Sequence, residues 1–111
     1  MSERWTNIKN SVATGSGALA HTLAPGRAFR LLEVRLHLSA AATQETLTIT
    51  ADSNEGAAYD LVFDSQAMAG VVDHVYRPAH PAIFMKGDEL DFAWGNTDAR
   101  TFGLEIIYQE L

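Results

Sequence analysis

Residues 32–39, Leu32-Glu33-Val34-Arg35-Leu36-His37-Leu38-Ser39, decide the fold class. Leu32, Val34, Leu36 and Leu38 occupy every second position, and polar residues fill the gaps. Successive side chains of a strand point to opposite faces, so the stretch predicts a strand with one apolar and one polar face. A half-buried strand of this kind belongs to an antiparallel sheet.

The same period of two runs outward in both directions. Leu19, His21 and Leu23 alternate before Pro25-Gly26 breaks the run. After a connection at 40–44, Leu47, Ile49 and Ala51 alternate with Thr46, Thr48 and Thr50, a β-branched polar face suited to a sheet. Residues 52–56 form a turn cluster. Tyr59, Leu61 and Phe63 alternate next, and residues 64–70 are expected to form one helical turn stopped by Gly70. Val71 to Arg77 is a further strand. Pro78 and Pro81 bracket a loop, Ile83 to Met85 form a short edge-like strand, and Lys86-Gly87-Asp88 is a turn. Leu90, Phe92 and Trp94 share one face, Gly95 to Asp98 turn, and Phe102, Leu104, Ile106 and Tyr108 close the chain.

About eight strands of ordinary length follow, with turn signals between most of them. The expected fold is all-β: a two-sheet antiparallel β-sandwich, jelly-roll-like because several connections are longer than hairpins. Residues 1–16 are expected to be an extended N-terminal arm and 17–111 the sandwich domain. The arm is rich in Asn, Ser, Thr and Gly. Trp5, Ile8 and Val12 fall at helical spacing, which suits one amphipathic turn as well as a loosely held terminus.

Length and composition narrow the function. The 111 residues fit one domain with one core. The absence of cysteine excludes disulfides, thiolate metal sites and a cysteine nucleophile. The net charge is −6, and the eight Lys and Arg are scattered, so nucleic acid is not an expected partner. No apolar run reaches the roughly 20 residues of a membrane helix. Met1 to Gly17 is polar and lacks a signal-peptide core, so synthesis in the cytoplasm is expected.

Candidate chemistry fails on spacing or face. His21, His37, His74 and His80 contain no His-x-His pair of the kind a cupin-like metal site uses. Asp52-x-Asn54-x-Gly56 begins like a calcium loop, but Phe63 stands where the bidentate glutamate belongs. Asp91 next to Phe92 and Trp94 suggests glycoside chemistry, yet alternation points it away from Phe92. Neither a Gly-x-Ser-x-Gly elbow nor a phosphate-binding loop is present. The chain is expected not to be an enzyme, and to use no cofactor or metal. Phe92 and Trp94 are read as core. Facing outward they would form a sugar-stacking platform, so a small carbohydrate-binding module is the alternative reading.

The run Phe29 to Leu38 followed by Glu45-Thr46-Leu47-Thr48-Ile49, together with Lys86 to Asn96 and Arg100 to Ile106, resembles small virion proteins of tailed bacteriophages, especially jelly-roll capsid cement or decoration proteins. The resemblance covers roughly residues 18–109. It implies a virion protein that forms a homo-oligomer, often a trimer, sits on the major capsid protein, and bridges capsomers without catalysis. The candidate contact residues are Trp5, Ile8 and Val12 of the arm, with Arg77 and His80 beside the proline-bracketed loop.

Overall fold

A computed structural model describes the protein over residues 7–111. Among the described residues nine strands follow one another: β1 (Ile8–Gly15), β2 (Leu19–Leu23), β3 (Phe29–Leu38), β4 (Thr46–Asp52), β5 (Leu61–Ala67), β6 (Asp73–Tyr76), β7 (Ala82–Phe84), β8 (Glu89–Trp94) and β9 (Phe102–Glu110). A short 3₁₀ turn spans Ala57–Tyr59. Sheet I has the order β1-β9-β3-β6, with β7 also pairing β3, and sheet II has the order β2-β8-β4-β5. Every pairing is antiparallel. If β6 and β7 are counted as one interrupted strand, this is the eight-strand jelly roll, in which chain and sheet alternate as two nested Greek keys. Among the described residues no helix is long and apolar enough to cross a membrane.

Alternation explains the core. Leu19 and Leu23, Leu47 and Ile49, and Leu90, Phe92 and Trp94 face inward from sheet II, toward Phe29, Leu31, Val34, Leu36, Leu104 and Ile106 of sheet I. Phe92 and Trp94 are 1% and 2% exposed, so they are core and not a platform. Burying such a side chain stabilises by about 1.5–3 kcal/mol each.

One phase of β3 differs from the simple alternation. Its pairing with β9 shifts between Leu31 and Glu33, so Leu32 is a bulge residue. Phe29 and Leu31 are buried before it, Val34, Leu36 and Leu38 after it, and Leu32 is only half-buried. One extra residue in a strand reverses the phase of everything beyond it.

Two expectations are corrected. Of the stretch expected to be an arm, Ile8–Gly15 is a full strand in register with β9, from Ile8↔Gln109 to Gly15↔Phe102. Its core-facing residues are Ser11, Ala13 and Gly15, which are too small or polar to betray a strand. The expected helical turn at 64–70 is the continuation of β5 to Ala67. Met68 then enters the core, and Gly70, at φ +82°, closes a turn that the Val71 N–H to Met68 carbonyl bond stabilises.

One end of the sandwich is fastened by a polar clamp. The Glu45 carboxylate accepts from the Thr97 N–H (2.8 Å) and hydroxyl (2.9 Å). Asp98 accepts in return from the Thr43 N–H (2.9 Å) and hydroxyl (2.7 Å). The Thr43 hydroxyl, then its N–H, hold the Asp98 carboxyl below its ordinary range. Gly95 leaves room for this clamp: a Cβ there would stand 2.0 Å from Glu45 Oε2 and push the carboxylate out of its place.

Candidate functional site

The open sides of the sandwich each carry a histidine. On one side Ser11 Oγ of β1 and His21 Nε2 of β2 share a 3.2 Å hydrogen bond. On the other, His74 Nε2 of β6 lies 2.8 Å from Asp64 Oδ2 of β5, a pair mostly shielded from solvent that ties sheet I to sheet II. His37 of β3 pairs with Asp73 of β6 at 2.5 Å on the solvent face of sheet I, and His80 is exposed in the β6–β7 connection. Among the described residues no three His, Cys, Asp or Glu side chains are placed to hold a metal ion.

Beside the His74–Asp64 pair lies a groove of about 380 Å³. It is lined by Leu61, Val62 and Phe63 of β5, by Tyr76 of β6, and by the connection through Pro78, His80 and Pro81. The prolines explain it. Proline cannot donate to a ladder, so the strand opposite β3 is interrupted between Tyr76 and Ala82 and its connection stands away from β5. Leu61 lies opposite the buried Ala51, on the core side, yet it is 60% exposed because none of the described residues covers that end. Its neighbour Val62 is 54% exposed. Burial, then the Asp64 charge, push the Tyr76 hydroxyl above its ordinary value, so it stays a neutral donor and acceptor.

The outer face of sheet I carries a chain of polar contacts that crosses β1, β9 and β3 and ends just past β6. From β1, the Asn10 side-chain amide donates to Glu105 of β9 (2.5 Å), which also receives Arg35 of β3 (3.2 Å). Arg35 donates to Glu33 on its own strand, and Glu33 receives Arg77, just beyond β6, at 2.5 Å. The bulge at Leu32 turns Glu33 so that both guanidiniums reach it. Arg77, then Arg35, hold the Glu33 carboxyl below its ordinary value. The arginines lie largely in solvent while the Glu33 side chain is only 11% exposed, so screening on the arginine side keeps each pair's contribution to stability small. Their effect is to fix a patterned, charged face.

The five candidate contact residues do not converge. Trp5 lies outside the described residues. Ile8 and Val12 sit on the solvent face of β1, and Val12 is 68% exposed. Arg77 and His80 lie at the opposite edge of sheet I, one bound to Glu33 and the other in the groove wall. Leu61 and Val62 were missed because the run Tyr59, Leu61, Phe63 reads as one buried face. In the structure Tyr59 belongs to the 3₁₀ turn, and the bulge at Phe63 resets the phase of β5. Asp88 caps its turn as its position suggests, accepting from Met85 N–H (2.9 Å) and also from Asn54 N–H (2.8 Å). No protein-family model matches the chain, and no curated protein matches it.

Proposed function

We propose that this chain is a virion structural protein of a tailed bacteriophage: a capsid cement or decoration protein that associates with itself, docks on the major capsid protein and stabilises the head shell by bridging capsomers. It works by contact and not by catalysis, and its place is the virion after synthesis in the host cytoplasm. The observation that carries this reading is the apolar groove lined by β5 and the β6–β7 connection, where Leu61 and Val62 stand exposed. An apolar rim around a shaped depression gains by being covered with protein. The jelly-roll strand order agrees with what the resemblance implies. The acidic balance keeps such a protein dispersed until it meets its shell.

Co-sedimentation with capsids that lack the protein tests the reading. The parent is expected to pellet with the shells, and a Leu61→Asp/Val62→Asp variant to bind about tenfold or more weakly while keeping its circular dichroism spectrum. A folded parent that stays in the supernatant across a concentration series would refute the proposal.

A further inference from the structure

The two sheets have four edges, formed by β1, β2, β5 and the interrupted β6–β7, and these differ in how they are defended. An exposed edge presents unpaired N–H and C=O groups to any passing strand, so proteins shorten, bulge or break their edges. β2 has five residues, β5 carries a bulge at Phe63, and the β6–β7 edge is broken at Pro78 and Pro81. β1 has none of these defences. It runs eight residues in unbroken register with β9, has no proline, and bears one charged side chain, Lys9.

Backbone accounting shows which groups of β1 are free among the described residues. The Glu110 N–H donates to the Asn7 carbonyl, so that pair is a hydrogen-bonded one in the ladder. Antiparallel pairs alternate between bonded and non-bonded. Lys9, Ser11, Ala13 and Gly15 therefore spend their backbone groups on β9. Ile8, Asn10, Val12 and Thr14 aim theirs at the open edge.

We propose that this edge pairs with the β1 of a second copy of the chain, antiparallel, about a two-fold axis at Ser11. Ile8 then meets Thr14 of the second copy, and Asn10 meets Val12 of the second copy, twice over by symmetry. These four bonded pairs make about eight backbone hydrogen bonds, two from each pair. No other register satisfies all the free groups from Ile8 to Thr14. It sets Lys9 against Ala13 and brings no like charges opposite one another. Sheet I becomes continuous through both copies. The inference deepens the self-association in the proposed function and replaces the trimer implied by the resemblance with a two-fold contact.

The test uses mass in solution and one engineered thiol, since the chain has no cysteine. Sedimentation equilibrium of the parent, up to the order of 100 μM, is expected to give twice 12.1 kDa. Val12→Pro removes a donor that has no partner among the described residues, and it is expected to raise the dimer dissociation constant at least about tenfold. If Val12→Pro lowers the melting temperature, Val12→Lys serves instead, because its two copies face each other diagonally across the axis. Ser11→Cys is expected to give a disulfide-linked dimer on mild oxidation, since non-bonded antiparallel partners stand at a Cα separation within disulfide range. Asn10→Cys, whose opposite number is Val12, is expected not to cross-link. A monomeric parent, a trimer in which Ser11→Cys does not cross-link, or a mass unchanged by both Val12 variants would overturn the β1 pairing. Capsid binding is read separately, so failure of the pairing and failure of the capsid reading are distinguishable.

Discussion

Replacing Asn96 with alanine should cost more stability than any other change of similar size on the surface loops. Asn96 is 3% exposed and holds a left-handed backbone, φ +50°. Its side-chain amide donates to the Gly17 carbonyl (2.8 Å) and the Arg100 carbonyl (2.9 Å), and its side-chain oxygen accepts from the Arg100 N–H (2.9 Å). It thus joins the β1–β2 turn to the β8–β9 connection. Three such bonds contribute about 1 kcal/mol each, and their loss strands buried backbone groups. Alanine in the left-handed region adds about 1 kcal/mol of strain, which asparagine tolerates better. The sum is about 4 kcal/mol, a large share of the roughly 5–15 kcal/mol that holds a domain of this kind together. At about 4 °C per kcal/mol the melting temperature should fall by about 15 °C. Urea unfolding followed by tryptophan fluorescence gives the free energy directly. Asn96→Gly separates the terms: it relieves the strain but adds freedom to the unfolded chain, so it should recover only about 0.5 kcal/mol. A loss below about 1 kcal/mol for Asn96→Ala would refute the assignment of Asn96 as the fastening point.

Deleting residues 1–16 should abolish cooperative unfolding, because it strips β1 from β9 and uncovers the core beside Leu104 and Ile106. A fragment 17–111 with the parent's melting temperature would show that β1 is dispensable. The Glu33 carboxyl is held below its ordinary value in the folded state by Arg77 and Arg35. Its contribution is therefore present above the unfolded carboxylate's pKa and is lost as pH falls through the folded one. Melting temperatures of the parent and Glu33→Gln should converge as pH falls below the ordinary glutamate pKa of about 4.3, and a difference that stays constant on acidification would count against the pairing.

Much of the sandwich was legible because inward and outward positions differ in polarity. Leu47, Ile49 and Ala51 against three threonines, and Leu90, Phe92 and Trp94 against Asp91, read directly as strands with known faces. The failures occur where that contrast vanishes. β1 turns Ser11, Ala13 and Gly15 inward, half-buried, while exposing Val12, so its polarity runs opposite to the rule. Bulges at Leu32 and Phe63 reverse the phase without leaving a mark in the sequence. Of the candidate site, the prolines that open the groove were visible. Its exposed wall, Leu61 and Val62, was not, because exposure there depends on how far the β6–β7 connection stands from β5. Glu33 also required the bulge before its two arginines could be seen to converge.

The strand order gives the two proposed contacts a geometric relation. β1 lies at one edge of sheet I, and β6 and β7 lie on the far side of β3. A copy that seats its groove against a shell therefore keeps β1 free for a second copy, and neither contact hinders the other. A bridge requires this separation, since a protein whose self-contact and shell contact overlap can form only one at a time. The separation also explains why the two contacts differ in chemistry. The groove is apolar and offers side chains, which a partner of fixed shape can fit. The β1 edge offers mainly backbone groups, which any extended strand could use, so its choice of partner must come from register and side chains. Ile8, Asn10, Val12 and Thr14 supply both in a self-complementary order. If that is what selects the second copy, exchanging Asn10 and Val12 should leave a strand that still pairs, because the pattern remains symmetric about Ser11. Moving Val12 one position to Ala13 should not, because its side chain then turns from the outer face into the core.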